Sequence, residues 1–342
     1  MTLPSQMRQE IAEIPPAVAR LLAHGGPAID TAAQALRDAD PAVIISVARG
    51  SSDHAATYFK YITELIAGVP VASVGPSVAS VYRSRLKLGS SACLAISQSG
   101  MSPDIVQMTD MARDQGALTM AVTNNADSDL AQVSDHTLAL YAGPEQSVAA
   151  TKTFVTSLVT VLWLVAEWTQ ETALLRALHG LPDRLEHAVQ QDWSVLVDHL
   201  ITQDALFCLG RGPAYAVSNE TALKFKEVCQ IHAESYSSAE VLHGPVSMVD
   251  PGFTVLGLAG ADQAEPLLVD VADRIADKGA RVFVTSDMAR TATALPVVRT
   301  DHALTDPISV VASVYAMVEA VAIARGIDPD SPRHLTKVTK TV

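Results

Sequence analysis

A short strand-like run that passes into Arg-Gly at its end occurs at two matching places in this chain. It appears as SVARGSS at 46–52 and again as CLGRGPA at 208–214, which sets Arg211 162 residues after Arg49. At the same offset Ser97 falls on Ala259 in LGLAGAD, and Thr123 in AVTNN falls on Thr285 in FVTSD. Three matched strand ends at one offset are hard to obtain by chance, although the halves share little other identity. A repeat of that length holds a whole domain, so the chain must build the same α/β fold twice.

The first copy reads as alternating strands and helices. Ala42–Val47, Val69–Val74, Ala92–Ile96, Leu118–Val122 and Thr137–Tyr141 are short apolar, β-branched runs. Residues 53–66 and 103–115 have helical spacing, with Pro103 at a first-turn position. Strands that are apolar without clean alternation belong to parallel sheets covered on both faces. Expected boundaries are a helical arm over 1–35, a first domain over 36–170, a helical linker over 171–198, a second domain over 199–330 and a tail over 331–342.

Composition narrows the function classes. Of 342 residues, 49% are apolar and 18% charged, which suffices for a large core and excludes wholesale disorder. The net charge of -13, without a basic block, argues against nucleic acid as a partner. Three scattered cysteines (Cys93, Cys208, Cys229) give neither a disulfide framework nor a zinc site. The start, MTLPSQMRQEIAEIPP, lacks a secretory h-region, and VTSLVTVLWLVA at 155–166 is too short for a membrane span. A cytoplasmic protein without a membrane partner is expected, with 154–166 a buried helix that helps form a dimer core.

Doubly wound sheets bind ligands at the carboxyl ends of their strands. LAISQSGMSPD at 94–104 stops there in Ser97, Gln98, Ser99, Gly100 and Ser102, and ARGSSDH at 48–54 offers Gly50, Ser51 and Ser52 ahead of another helix. Hydroxyls, an amide, close backbone approach and a helix amino terminus together suit a phosphate. Helix capping explains one such loop equally well; two in the same half favour phosphate. In NETALKFKEVCQIHAESYSSAEVLHGP (219–245), Glu220, Lys224 and Glu227 share a helical face, followed by His232, Glu234, Tyr236, Glu240 and His243. A solvated salt-bridged face and a proton-transfer site both fit that pattern. The tail, with Arg333, His334, Lys337 and Lys340, either frays or folds back over a pocket.

SQSG, AGPEQSVAATKTF, ALKFKEVCQIHAESYSSAEVLHGP and PRHLTK, in that order, resemble the isomerase half of glucosamine-6-phosphate synthase. That half is a tandem of sugar-isomerase (SIS) domains, so the resemblance implies an α/β fold of two doubly wound parallel-sheet, flavodoxin-like sandwiches. It implies Glu227 as the base between sugar C1 and C2, with Lys224 beside it. It implies His243 for ring opening, supplied by the neighbouring subunit of a homodimer, and Lys337 on the open-chain carbonyl as the tail closes the site. Ser52, Ser97, Gln98, Ser99 and Ser102 become phosphate and sugar contacts, and Val148 a backbone contact. No metal or organic cofactor is implied.

Departures bear on the substrate. Ala150 stands where the family has a sugar-touching serine, and Arg49-Gly50-Ser51-Ser52 replaces Cys-Gly-Thr-Ser, adding charge at the pocket lip. The tail ends VTKTV, without the family's acidic end. The chain begins MTLP and its first cysteine is Cys93, so no glutaminase is expected. It resembles instead the SIS-type amino-sugar-phosphate deaminases. The expectation is conversion of glucosamine 6-phosphate to fructose 6-phosphate and ammonia. A fructosamine-6-phosphate deglycase, an aldose–ketose isomerase and a phosphosugar-sensing module are the alternatives.

Overall fold

The computed structural model describes residues 4–337, so the expectation resting on Lys340 lies outside the described residues. The apolar runs form two sheets. The first contains β1 (Val43–Val47), β2 (Val71–Ser73), β3 (Ser91–Ile96), β4 (Leu118–Thr123) and β5 (His136–Ala139), ordered β2-β1-β3-β4-β5. The second contains β6 (Ala205–Gly210), β7 (His232–Ser237), β8 (Thr254–Gly257), β9 (Arg281–Val284) and β10 (Thr293–Ala294), ordered β10-β9-β8-β6-β7. Read from the β7 edge, the second sheet repeats the first strand for strand. The 162-residue offset is therefore a topological repeat.

All the pairings are parallel, with Cys93 of β3 opposite Ile45 of β1 and Thr119 of β4. Parallel pairing requires crossovers that cover both faces, and all six residues of β3 are buried accordingly. The fifth strand ends earlier than the apolar run suggests because Tyr141 takes a left-handed conformation, φ 50°.

The chain divides into two compact units. One holds the first sheet, with Pro16–Glu145, Lys152–His179 and, of the described tail, Thr336 and Lys337. The other holds the second sheet, with Gly180–Leu335, Gln146–Thr151 and the described residues from Pro4 to Pro15. The expected arm is thus three helices shared between units. Helix Gln6–Ala12 belongs with the second sheet, where Arg8 pairs with Glu319 and Asp330 accepts the N–H groups of Gln6 and Met7 at 2.7 and 2.8 Å. Helix Gly26–Ala39 belongs with the first.

In the first-sheet unit, helix Lys152–Thr169 is buried along its whole length from Lys152 to Ala166. Helices Gly26–Ala39 and Ser51–Ile66 pack on it, and Arg37 donates to the carbonyl of Glu167 at 2.7 Å. This corrects the expectation of a dimer core at 154–166. The helix has no apolar face left to offer, because every residue from Lys152 to Ala166 is already buried within the chain. In the second-sheet unit the corresponding place is taken by helix Asp306–Ala324, which is not among the expectations above. By length and composition that helix could cross a membrane, yet 83% of its most apolar window is buried inside the fold.

Candidate active site

In the first-sheet unit, β1 and β3 both end in turns that lead to helix amino termini. Those turns line a cleft of about 370 Å³. Arg49, Gly50 and Ser52 come from the first turn, Ser97, Gln98, Ser99 and Ser102 from the second, and Lys337 from the tail. Gly50 takes φ +53°, and a Cβ there would meet nothing within 4 Å, so its backbone is open to a ligand. Gly100 has the opposite reason for being glycine. A Cβ at its φ of +64° would lie 2.0 Å from Ser128 Oγ and 2.9 Å from Thr123 Oγ1. Packing of the bend against the β4 end requires that glycine; ligand approach does not.

Capping accounts for little of the hydroxyl content. Ser102 is the N-cap of helix Pro103–Asp114, yet its side chain makes no capping bond, and the N-cap of helix Ser51–Ile66 is Gly50, which has no side chain to cap with. Ser97 Oγ accepts from Gly100 N at 3.2 Å and Ser99 Oγ from Met101 N at 3.3 Å. Both are acceptor roles that leave the O–H free to donate. Ser51 does not line the cleft.

Each cation on the cleft is paired with a buried carboxylate. Arg49 Nε and Nη2 reach Asp104 Oδ2 at 3.1 and 2.9 Å, and Asp104 is fully buried. Lys337 Nζ lies 3.3 Å from Glu145 Oε2; Glu145 also accepts from Thr153 N at 3.1 Å and Thr153 Oγ1 at 2.5 Å. Local spacing does not mark Glu145 or Asp104 as counter-charges, although an acidic residue such as Asp104 is favoured in a helix's first turn.

In the second-sheet unit the charged helix face is buried. Lys224 Nζ lies 3.1 Å from Glu220 Oε1 and 2.6 Å from Glu227 Oε2, and Tyr315 donates its hydroxyl to Glu220 Oε1 at 3.0 Å. Glu220, Lys224 and Tyr315 are wholly inaccessible, whereas the Glu227 side chain keeps 22% exposure. Burial works against a charged Lys224, but the flanking carboxylates, Glu220 foremost, prevail and push its pKa up. A solvated salt-bridged face is therefore ruled out. At Phe225–Cys229 the helix widens into a π turn that carries Glu227, ending at Gln230 with φ 55°. Such turns concentrate at functional sites.

The remaining titratable groups separate. Tyr236 donates to Glu234, and that hydrogen bond pushes its pKa up to about 12. His232, 73% exposed, lies 3.5 Å from Glu234. Glu240 and His243 sit on a 3₁₀ turn, Glu240–His243, where His243 is exposed. Val148 and Ala150 lie in Gln146–Thr151, within the second-sheet unit. There the buried Glu10 accepts the N–H groups of Gln146 and Ser147, a contact no local pattern announced. Among the described residues no cluster could hold a metal ion.

Two like-ordered parallel sheets, each with its turns at the strand carboxyl ends, define a class that sequence comparison makes specific. Residues 35–167 and 199–324 each match the SIS domain, and the chain belongs to that family, carrying two copies. It is 31% identical over 339 residues to the glutamine–fructose-6-phosphate aminotransferase (isomerizing) of Sulfurisphaera tokodaii, covering 98% of this chain and 56% of that protein. The chain thus spans about half the length of such relatives. A Silicibacter pomeroyi DSS-3 protein, proposed to be a phosphosugar isomerase, is 57% identical with a TM-score of 0.93. That match covers 96% of this chain and 100% of the other. The glucosamine-6-phosphate deaminase of Thermotoga maritima shares the fold, with a TM-score of 0.75 at 20% identity, covering 98% of this chain and 100% of its own.

Proposed function

We propose that this chain is an amino-sugar-phosphate isomerase/deaminase that converts glucosamine 6-phosphate and water to fructose 6-phosphate and ammonia. The observation that carries the reading is the Tyr315–Glu220–Lys224–Glu227 network, three members of which are buried while the fourth, Glu227, retains solvent access. A buried ammonium between two carboxylates is costly to maintain, and orienting a reactive carboxylate is a good reason to maintain it.

In this mechanism Ser52, Ser97, Gln98, Ser99 and Ser102 hold the phosphate, and His243 assists opening of the ring. Lys337 engages the C1 carbonyl of the open chain. That carbonyl acidifies the C2 hydrogen, since the electron pair left by deprotonation delocalises into an enediol-like C1–C2 system. Glu227 takes the C2 proton and returns it to C1, while O1 gains a proton and the C2 amino group gives one up, so no atom is gained or lost in this step. The product is a C2 imine with a C1 hydroxymethyl group, and water hydrolyses it to the ketone and ammonia. Val148 and Ala150 border the sugar.

A correctly placed general base contributes about 10²–10⁴-fold. Glu227→Gln should therefore lower kcat by about that factor and leave the Kd for the phosphosugar within a few-fold. Ammonia release coupled to glutamate dehydrogenase reads the activity, and wild-type turnover in the variant would remove Glu227 from the mechanism. Fructosamine 6-phosphate in the same assay tests a deglycase, which the extra room at Ala150 favours as the second reading.

A further inference from the structure

We propose that Arg49 is a specificity-determining residue of this site: a guanidinium, locked in place by Asp104, that binds the phosphate group directly. The inference rests on the phosphosugar reading above and deepens it. Hydroxyls, backbone N–H groups and a helix end can hold a phosphate without any fixed positive charge. Here the cleft carries Arg49 and Lys337 in addition, and Arg49 lies one residue from the open backbone of Gly50.

The geometry separates the two edges of the guanidinium. Nε and Nη2 both bond one oxygen, Asp104 Oδ2. Asp104 is itself immobilised, since it is fully buried in the first turn of helix Pro103–Asp114 and its Oδ1 accepts from Ile105 N at 2.9 Å. Nη1 makes no hydrogen bond among the described residues, Asp53 is within electrostatic reach of the guanidinium, and the side chain remains 50% exposed on the cleft. Two donors are spent on orientation and the other edge is left for a ligand. A planar guanidinium suits phosphate oxygens, and pre-orientation lowers the entropy lost on binding. A lysine could supply the charge but not the fork on Asp104.

The rival explanation is that Arg49 only neutralises a buried carboxylate. The two are separated by removing that carboxylate together with the arginine. Titration calorimetry on Arg49→Ala, Arg49→Lys, Asp104→Asn and the double variant Arg49→Ala/Asp104→Asn would use glucose 6-phosphate and inorganic phosphate as probes. A charge-assisted hydrogen bond predicts a loss of about 10- to 100-fold. The double variant should show it for both probes alike, with a shallower salt dependence, and Arg49→Lys should fall between. Double-variant affinities within twofold of wild type would overturn the proposal. So would a loss confined to glucose 6-phosphate, because Arg49 would then be reading the sugar. If the wild-type protein binds neither probe, the phosphosugar reading itself falls.

Discussion

Lys224 is where the chain commits most charge to its interior, and its removal has two separable consequences. Lys224→Met should leave Glu220 buried beside Tyr315 without its cation, a defect of about 3–5 kcal/mol in urea unfolding. The sign of the pH dependence follows from the raised pKa of Lys224 in the folded state. Stability from this group is complete below the unfolded lysine value of about 10.4 and is lost only as pH rises beyond it. Thermal melting of the wild type should accordingly decline above about pH 10, and that alkaline decline should be smaller in Lys224→Met. This residue also shows what spacing could and could not convey. An i, i+4, i+7 pattern placed the three charges on one face, while burial of that face came from Tyr315, 91 residues beyond Lys224 in the chain.

At the scale of elements, turns and helices are fixed by packing that is local in space and remote in sequence. Gly100→Ala should destabilise the protein by about 2 kcal/mol or more and weaken phosphosugar binding. Its Cβ would both strain a left-handed residue and displace Ser128 and Thr123 behind the bend. Cys93 lies on β3, and Cys229 ends the π turn; burial pushes the thiol pKa of each up to about 12, and that of Cys208 on β6 higher still. Native protein should therefore show almost no reaction with a disulfide reagent at pH 8, and three thiols on unfolding. Reaction of a thiol in the folded state would contradict the packing of these strands. The strands of the first copy and the helix starting at Pro103 were legible because their periodicity and punctuation are local, whereas the polar strand His232–Ser237 carries no such period. The π turn was not, because its extra width has no signature in a single sequence.

For the whole molecule, the repeat is the organising fact, and the two copies have diverged at their strand ends. In the first, the turns after β1 and β3 line a cleft. In the second, Ala261 N at the turn after β8 is taken up by Asp306 Oδ2 at 2.8 Å, and Arg299 binds Glu265 and Asp306. An internal carboxylate thus occupies the backbone donor that an anionic ligand would need. Phosphosugar binding is expected with one site per chain, and calorimetric stoichiometry checks it. The remaining expectation concerns assembly: if His243 serves a neighbouring copy, mixing Glu227→Gln with His243→Ala protein should restore part of the ammonia-releasing activity. No recovery after verified subunit exchange would argue for a site built within one chain.

The amino-acid order alone determined the tandem α/β architecture, because strand and helix periods and the 162-residue repeat are written in local apolar spacing. It also marked the hydroxyl-rich turns and the charged helix as places for chemistry. Only the tertiary structure decided that the charged helix face is interior, that helix Lys152–Thr169 is already covered, and that Arg49 is held by Asp104. Each of those outcomes depends on which distant side chain supplies the solvent-excluding wall or the counter-charge, and nothing in local spacing encodes that partner.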